Sequence, residues 1–332
     1  MKKLMKTTIE TTLPKTLGRS SLGTLGMMLG GGVVLIGAIA EADTFGTGAN
    51  GFTLDFVAVG NAGNGNDSGT GGSYGGVAYD YRVGVNEISQ AAINAAVAEG
   101  LTGMPAGSWS GSQPSASINW YQAAAFTNWL NTSTGHVAAY QLNPALTSLT
   151  LWSSGEAWQA GGENLYRNKD AYYFLPSENE WYKAAYQKND GVTANYWDYP
   201  TASNSAPIAV GSGTGVGTAV YDRVASVPAG VFNAGGLSAY GTMGQGGNVG
   251  EWMETAYDGT NNSSSEDRGI RGGYWDDSED DLQSSEQEDG EPTDSDSHVG
   301  FRVASVPEPS AVVMMIGAGV LALVRRRTRA AL

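Results

Sequence analysis

Between Asp276 and Asp296 the chain places eleven carboxylates and no base, the densest concentration of ionisable groups it contains. Carboxylates packed this closely can hold a hard cation or face a cationic partner, because clustered oxygen donors suit calcium and repel one another when unpaired. The spacing lacks the Asp-x-Asp-x-Asp-Gly rhythm of an EF-hand loop, so any calcium affinity is expected to be low. Two readings stand for this segment: a low-affinity calcium or cationic-partner surface, and a solvated loop that serves solubility in salt.

Other chemistry has less to work with. The chain has no cysteine, which removes thiol nucleophiles, thiolate metal sites and disulfides. His136 and His298 are its only histidines, and each reads as a surface or packing residue rather than a ligand. With so few imidazoles a serine triad finds no support. Arg271 and Arg302 sit among glycines and aromatics and read as buried partners of carboxylates, while Trp120, Trp129, Trp181 and Trp252 read as core.

The charge balance narrows the class of partner. The formal net charge is −15, but bases gather at the two ends; residues 43–305 carry nine bases against thirty acids, close to −21. A surface of that sign repels phosphate backbones, so nucleic acid is excluded as a direct partner.

The elements that position these groups are legible in places. Phe52, Leu54, Phe56 and Ala58 alternate as one face of a strand, and Val77, Tyr79, Tyr81, Val83 and Val85 repeat the pattern after a glycine-rich loop at 60–76. Asn119 with Gln122, and Ser177 with Glu180, have capping-box spacing at the heads of two helices, the second expected to stop at Gly191. Residues 192–305 read as loop-dominated. With 48 glycines, the composition favours strands and long turns over helical bundles.

The two ends read as addresses. Bases at the front precede the apolar run 21–42, where Ala38-Ile39-Ala40 and Ala40-Glu41-Ala42 both fit the small-x-small cleavage pattern of a secretory signal for signal peptidase. At the back, Val306-Pro307-Glu308-Pro309 leads into the apolar segment 310–324, then Arg325, Arg326 and Arg327. Its fourteen-residue apolar stretch, Ala311 to Val324, would span about 21 Å as a helix against a hydrocarbon core of about 30 Å, which suits a transient anchor better than a permanent one. This three-part tail resembles the PEP-CTERM sorting signal. The resemblance implies cleavage by an exosortase, transient inner-membrane anchoring and delivery to the outside of a Gram-negative bacterium.

Six blocks occur in order between the ends: "YDYRVGVNEIS", "INWYQAAAFTNWL", "FLPSENEWYKAA", "GGNVGEWMET", "IRGGYWDDS" and "HVGFRVAS". They resemble the formylglycine-generating-enzyme or sulfatase-modifying-factor family, over about residues 52–304. That resemblance implies a single loop-rich α+β domain related to C-type lectins, with short helices packed on small sheets, here expected over 43–305. Oxidase members of the family bind copper(I) through two cysteines, whose places correspond to Asp277 and Leu282. Since copper(I) prefers sulfur, no copper is expected. The resemblance also implies a structural calcium at Gly247, Val249 and Glu251, although Gly244 stands where an Asp or Asn is usual. Three functions stay open: a non-catalytic exported surface or matrix protein, an enzyme with altered chemistry, and a module that binds an extracellular polysaccharide or peptide.

Overall fold

The alternation of Phe52, Leu54 and Phe56 becomes strand β2 (Phe52–Val59) in the computed structural model, which describes residues 40–158 and 164–307. Its buried face changes midway: Val57 and Val59 are buried and Ala58 is exposed. The cause is that β2 lies between two hydrophobic clusters. Phe52, Leu54 and Phe56 join the larger one, whereas Val57 and Val59 pack in a second with Tyr81, Val83 and Phe174. Strand β3 is shorter than its pattern suggests, Tyr81–Gly84, and all four residues are buried.

β1 (Glu41–Phe45) pairs antiparallel with β2, setting Glu41 opposite Phe56 and Ala42 opposite Asp55. β1 therefore starts two residues before the expected domain boundary at 43. Asp43 fixes this edge by accepting from Arg82 Nη1 and Nη2 at 3.2 and 2.7 Å. Three short pairs follow along the chain: β4 (Gln141–Leu142) with β5 (Leu149–Thr150), β6 (Ala157–Trp158) with β7 (Asn164–Asn168), and β9 (Ile208–Ala209) with β10 (Thr218–Ala219). The first sheet runs β1-β2-β3-β15-β8, with β8 at Tyr173–Phe174 and β15 at Ala304–Ser305. A second sheet, ordered β13-β12-β11-β14, combines β11 (Gly250–Ala256), β12 (Arg268–Arg271), β13 (Glu288–Gly290) and β14 (Val299–Gly300).

Both expected capping boxes form. Asn119 and Gln122 close the head of α2 (Trp120–Ser133), and Ser177 and Glu180 that of α3 (Glu178–Tyr186). α3 ends before Gly191, because Gln187 turns to extended backbone and bridges to Tyr196. A third helix, α1 (Gln90–Ala98), is capped by Ser89 and was not legible beforehand. Trp120, Trp181 and Trp252 are buried as expected; Trp129 is only half-buried and stacks on Phe52 at the margin of the core. The architecture is the loop-rich α+β arrangement anticipated.

Among the described residues, no helix is long and apolar enough to cross a membrane. The expected signal run 21–39, the apolar segment 310–324 and the Arg325–Arg327 cluster lie outside them.

Candidate functional site

At the end of β12 the chain turns sharply through Gly272 and Gly273, both in the left-handed region at φ 106° and 65°. Side chains are barred here by space as well as by φ. A Cβ at Gly273 would lie 3.0 Å from Leu282 Cδ1 and 3.3 Å from Asp277 Oδ2. The turn thus brings Asp277 and Leu282 to the same spot, as the family resemblance requires of its two cysteines. Their chemistry differs completely. Leu282 is wholly buried and packs with Tyr199, Ala219 and Tyr221. Asp277 accepts the Tyr274 amide at 2.9 Å. One hydrocarbon and one carboxylate give a soft copper(I) ion nothing to bind, so the donor set does not fit copper.

Burial, aided by repulsion from Asp281 and Glu288, pushes Asp277 up to about 7. A carboxylate raised on folding binds its proton more readily in the native state, so native stability falls as pH rises from about 4 to about 7 and the loss is complete above that window. Asp277→Asn keeps an oxygen for the Tyr274 amide and removes the charge. It should match the parent near pH 4 and melt several degrees higher at pH 8, as thermal denaturation across pH would show.

Beside this turn lies a groove of about 340 Å³ between β13, Tyr274 and the segment 294–298. Its walls include Glu288, Asp289, Asp294 and Asp296, while Trp252 and Ile270 form part of its lining. Eight of the eleven carboxylates of the acidic run are solvent-exposed, as the solvated reading expects, and the run is tethered by β13 in a sheet and by Leu282 in the core. Burial, then Asp281 and Asp289, hold Glu288 above the ordinary carboxylate range. His298 occupies one end. Its Nδ1 is 2.6 Å from Asp296 and its Nε2 3.4 Å from Asp276, and its ring stacks on Trp275 at 5.6 Å. His298 thus packs against the acidic run within hydrogen-bond reach of Asp296, while His136 is exposed and stacks on Tyr172.

The expected calcium ligands are placed differently from the expectation. Glu251, on β11, accepts from Arg302 Nε and Nη2, both at 2.6 Å, and from Trp181 Nε1 at 2.8 Å. The same guanidinium donates to the carbonyls of Gly84, Val85 and Met243 at 2.9, 3.1 and 2.9 Å. Arg302 is therefore a cation already seated in a cage of oxygens, and Glu251 is spent on it. Gly247 is held by its own constraint, since a Cβ there would overlap the Val220 carbonyl, and Val249 is core. Calcium at Glu251 would have to displace a fully buried arginine, so this carboxylate does not fit the ion.

Glu87 escaped the sequence reading altogether. It is buried and accepts from Asn248 Nδ2 at 2.6 Å and the Val249 amide at 3.2 Å. Burial, reinforced by neighbouring Glu251, holds it well above the usual carboxylate range. Gly244 is explained here: a side chain would meet the Glu87 carboxyl at 3.1 Å. Arg271 pairs with Glu178, as expected of it.

The sulfatase-modifying factor enzyme 1-like domain matches residues 63–306, and the PEP-CTERM protein-sorting motif matches residues 305–329. Among solved structures, Treponema denticola variable protein 1 is 22% identical, with TM-score 0.53, covering 80% of this chain and 99% of its own. PvdO from Pseudomonas aeruginosa is 14% identical, with TM-score 0.51, over 80% of this chain and 98% of its own. CarF is 18% identical, with TM-score 0.50, over 77% and 99% respectively. At these identities the likeness is one of fold. No curated protein matches the sequence significantly. The family match spans most of the chain and the cysteine-free turn sits within it: the chain belongs to the sulfatase-modifying factor enzyme 1-like family, and it ends in a PEP-CTERM sorting motif.

Proposed function

We propose that this exported, exosortase-processed protein is a surface or matrix component whose domain does not oxidise thiols but holds a cationic ligand in the acidic groove. One observation carries the reading: most of the domain's bases are buried, while Glu288, Asp289, Asp294 and Asp296 line one groove. Of the nine bases in residues 43–305, Arg82, Arg167, Lys183, Arg268, Arg271 and Arg302 are buried. Only Lys169, Lys188 and Arg223 are left to reach solvent, and Arg223 pairs with Asp276 at 2.8 Å. Six acids are buried with them, Asp67, Glu87, Glu178, Glu180, Glu251 and Glu254, so the groups left at the surface keep the formal excess of acid, and a cleft lined by one sign concentrates the resulting field.

Trp252, Ile270 and Tyr274 give the groove an apolar side, against which the methylene stem of a lysine or a polyamine could lie while its ammonium faces carboxylates. Titration of the released protein with pentalysine tests this. Saturable binding is expected, weakened about threefold by Asp289→Asn and again by Asp294→Asn, in line with exposed charge pairs. Binding that ignores both changes would refute the groove as the site.

A further inference from the structure

A second hollow, of about 330 Å³, lies on another part of the domain, lined in part by β6, β7 and the head of α3. Its character is the reverse of the acidic groove. Arg167 is the charged residue in its wall. That guanidinium is saturated from behind, by Glu254 at 2.5–3.0 Å and Glu180 at 2.8–3.1 Å. An anion entering the hollow would find its counter-charge already taken, in a domain whose overall field repels it.

Asn164 Nδ2 and the Tyr79 hydroxyl already donate, to Glu254 and Glu180 at 2.5 and 2.8 Å, whereas four other polar groups have their acceptors used and their donors free among the described residues. Asn179 Oδ1 accepts the Gly75 amide at 2.8 Å, and Asn261 Oδ1 the Ala256 amide at 2.9 Å. Both amide planes are locked by backbone, yet neither Nδ2 bonds to any described residue. Ser177 Oγ and Thr255 Oγ1 accept the Glu180 and Glu178 amides at 3.3 and 2.9 Å, and neither hydroxyl proton has an acceptor among the described residues. Trp158 and Tyr79 meet edge to face at 5.2 Å and supply the apolar wall. The rim, at Ala78, Gly259 and Thr260, is exposed. Such a hollow wants a ligand that is neutral, rich in acceptors and apolar on one side.

We infer that this hollow binds a neutral N-acetylated sugar unit without a metal, its acetamido carbonyl and ring oxygens accepting from Asn179, Asn261, Ser177 and Thr255. The inference is independent of the cationic groove. The test is titration of the released protein with N,N′-diacetylchitobiose in chelator, followed by tryptophan fluorescence. Saturable binding is expected, at least about fivefold tighter than for cellobiose, which lacks the acetamido carbonyl. Asn179→Asp keeps an oxygen for the Gly75 amide while losing the donor, and should weaken binding about fivefold. Trp158→Ala should abolish it, and the Asp289 and Asp294 variants should leave it unchanged. Absence of saturation, equal affinity for cellobiose, or an indifferent Asn179→Asp protein would each overturn the inference.

Discussion

Arg302→Met should destabilise the domain by about 3–5 kcal/mol, the cost of removing one partner from a buried ion pair. The expected fall in melting temperature is on the order of 10 °C for a domain of this size. The size of the effect follows from what the guanidinium leaves behind. Glu251 would lose both of its Arg302 bonds, three backbone carbonyls would lose their donor, and Glu87 would face Glu251 with no cation between their demands. Calcium added to the variant tests the alternative occupant of that cage. A melting curve unchanged by the substitution would show that Arg302 is not the cation that holds these strands together.

Replacing Pro307, Glu308 and Pro309 with alanine should be close to all-or-none in its effect on release. The sorting match covers these positions, and an exosortase that cannot read them leaves the chain uncut and membrane-bound. Fractionation with immunoblotting reads the outcome; normal release of the variant would contradict the sorting assignment. The intact mass of the released parent protein adds the other terminus. β1 begins at Glu41, whose carboxylate lies 3.6 Å from Arg82, so cleavage after Ala40 leaves the strand whole and cleavage after Ala42 removes two of its five residues. The expected first residue is Glu41.

Local signals read well from the sequence because they act over a few residues. Asn119 with Gln122 and Ser177 with Glu180 mark helix starts through bonds three positions apart. The resemblance of the ordered blocks likewise pointed to Asp277 and Leu282 as corresponding places, which the turn at Gly272 and Gly273 brings together. What stayed hidden is carried by long-range partners. Arg302 is 51 residues from Glu251 and 218 from Gly84, so nothing near it says that its cage is made of oxygens. Glu87 and Asn248 meet across 161 residues. α1 was missed for another reason: its alanines give no contrast between faces, and only Ser89 and Gly100 punctuate it. The acidic run reads as solvated and most of its carboxylates are exposed; its tethers, Leu282 below and the short β13 alongside, are too few to leave a pattern.

The charge-based account is tested most directly by the salt dependence of the pentalysine titration. If carboxylates of the groove hold the ligand, raising ionic strength from about 0.05 to about 0.5 M should weaken binding about tenfold or more, as the screening length shortens. An affinity that does not change with salt, or no binding at low salt, would contradict it.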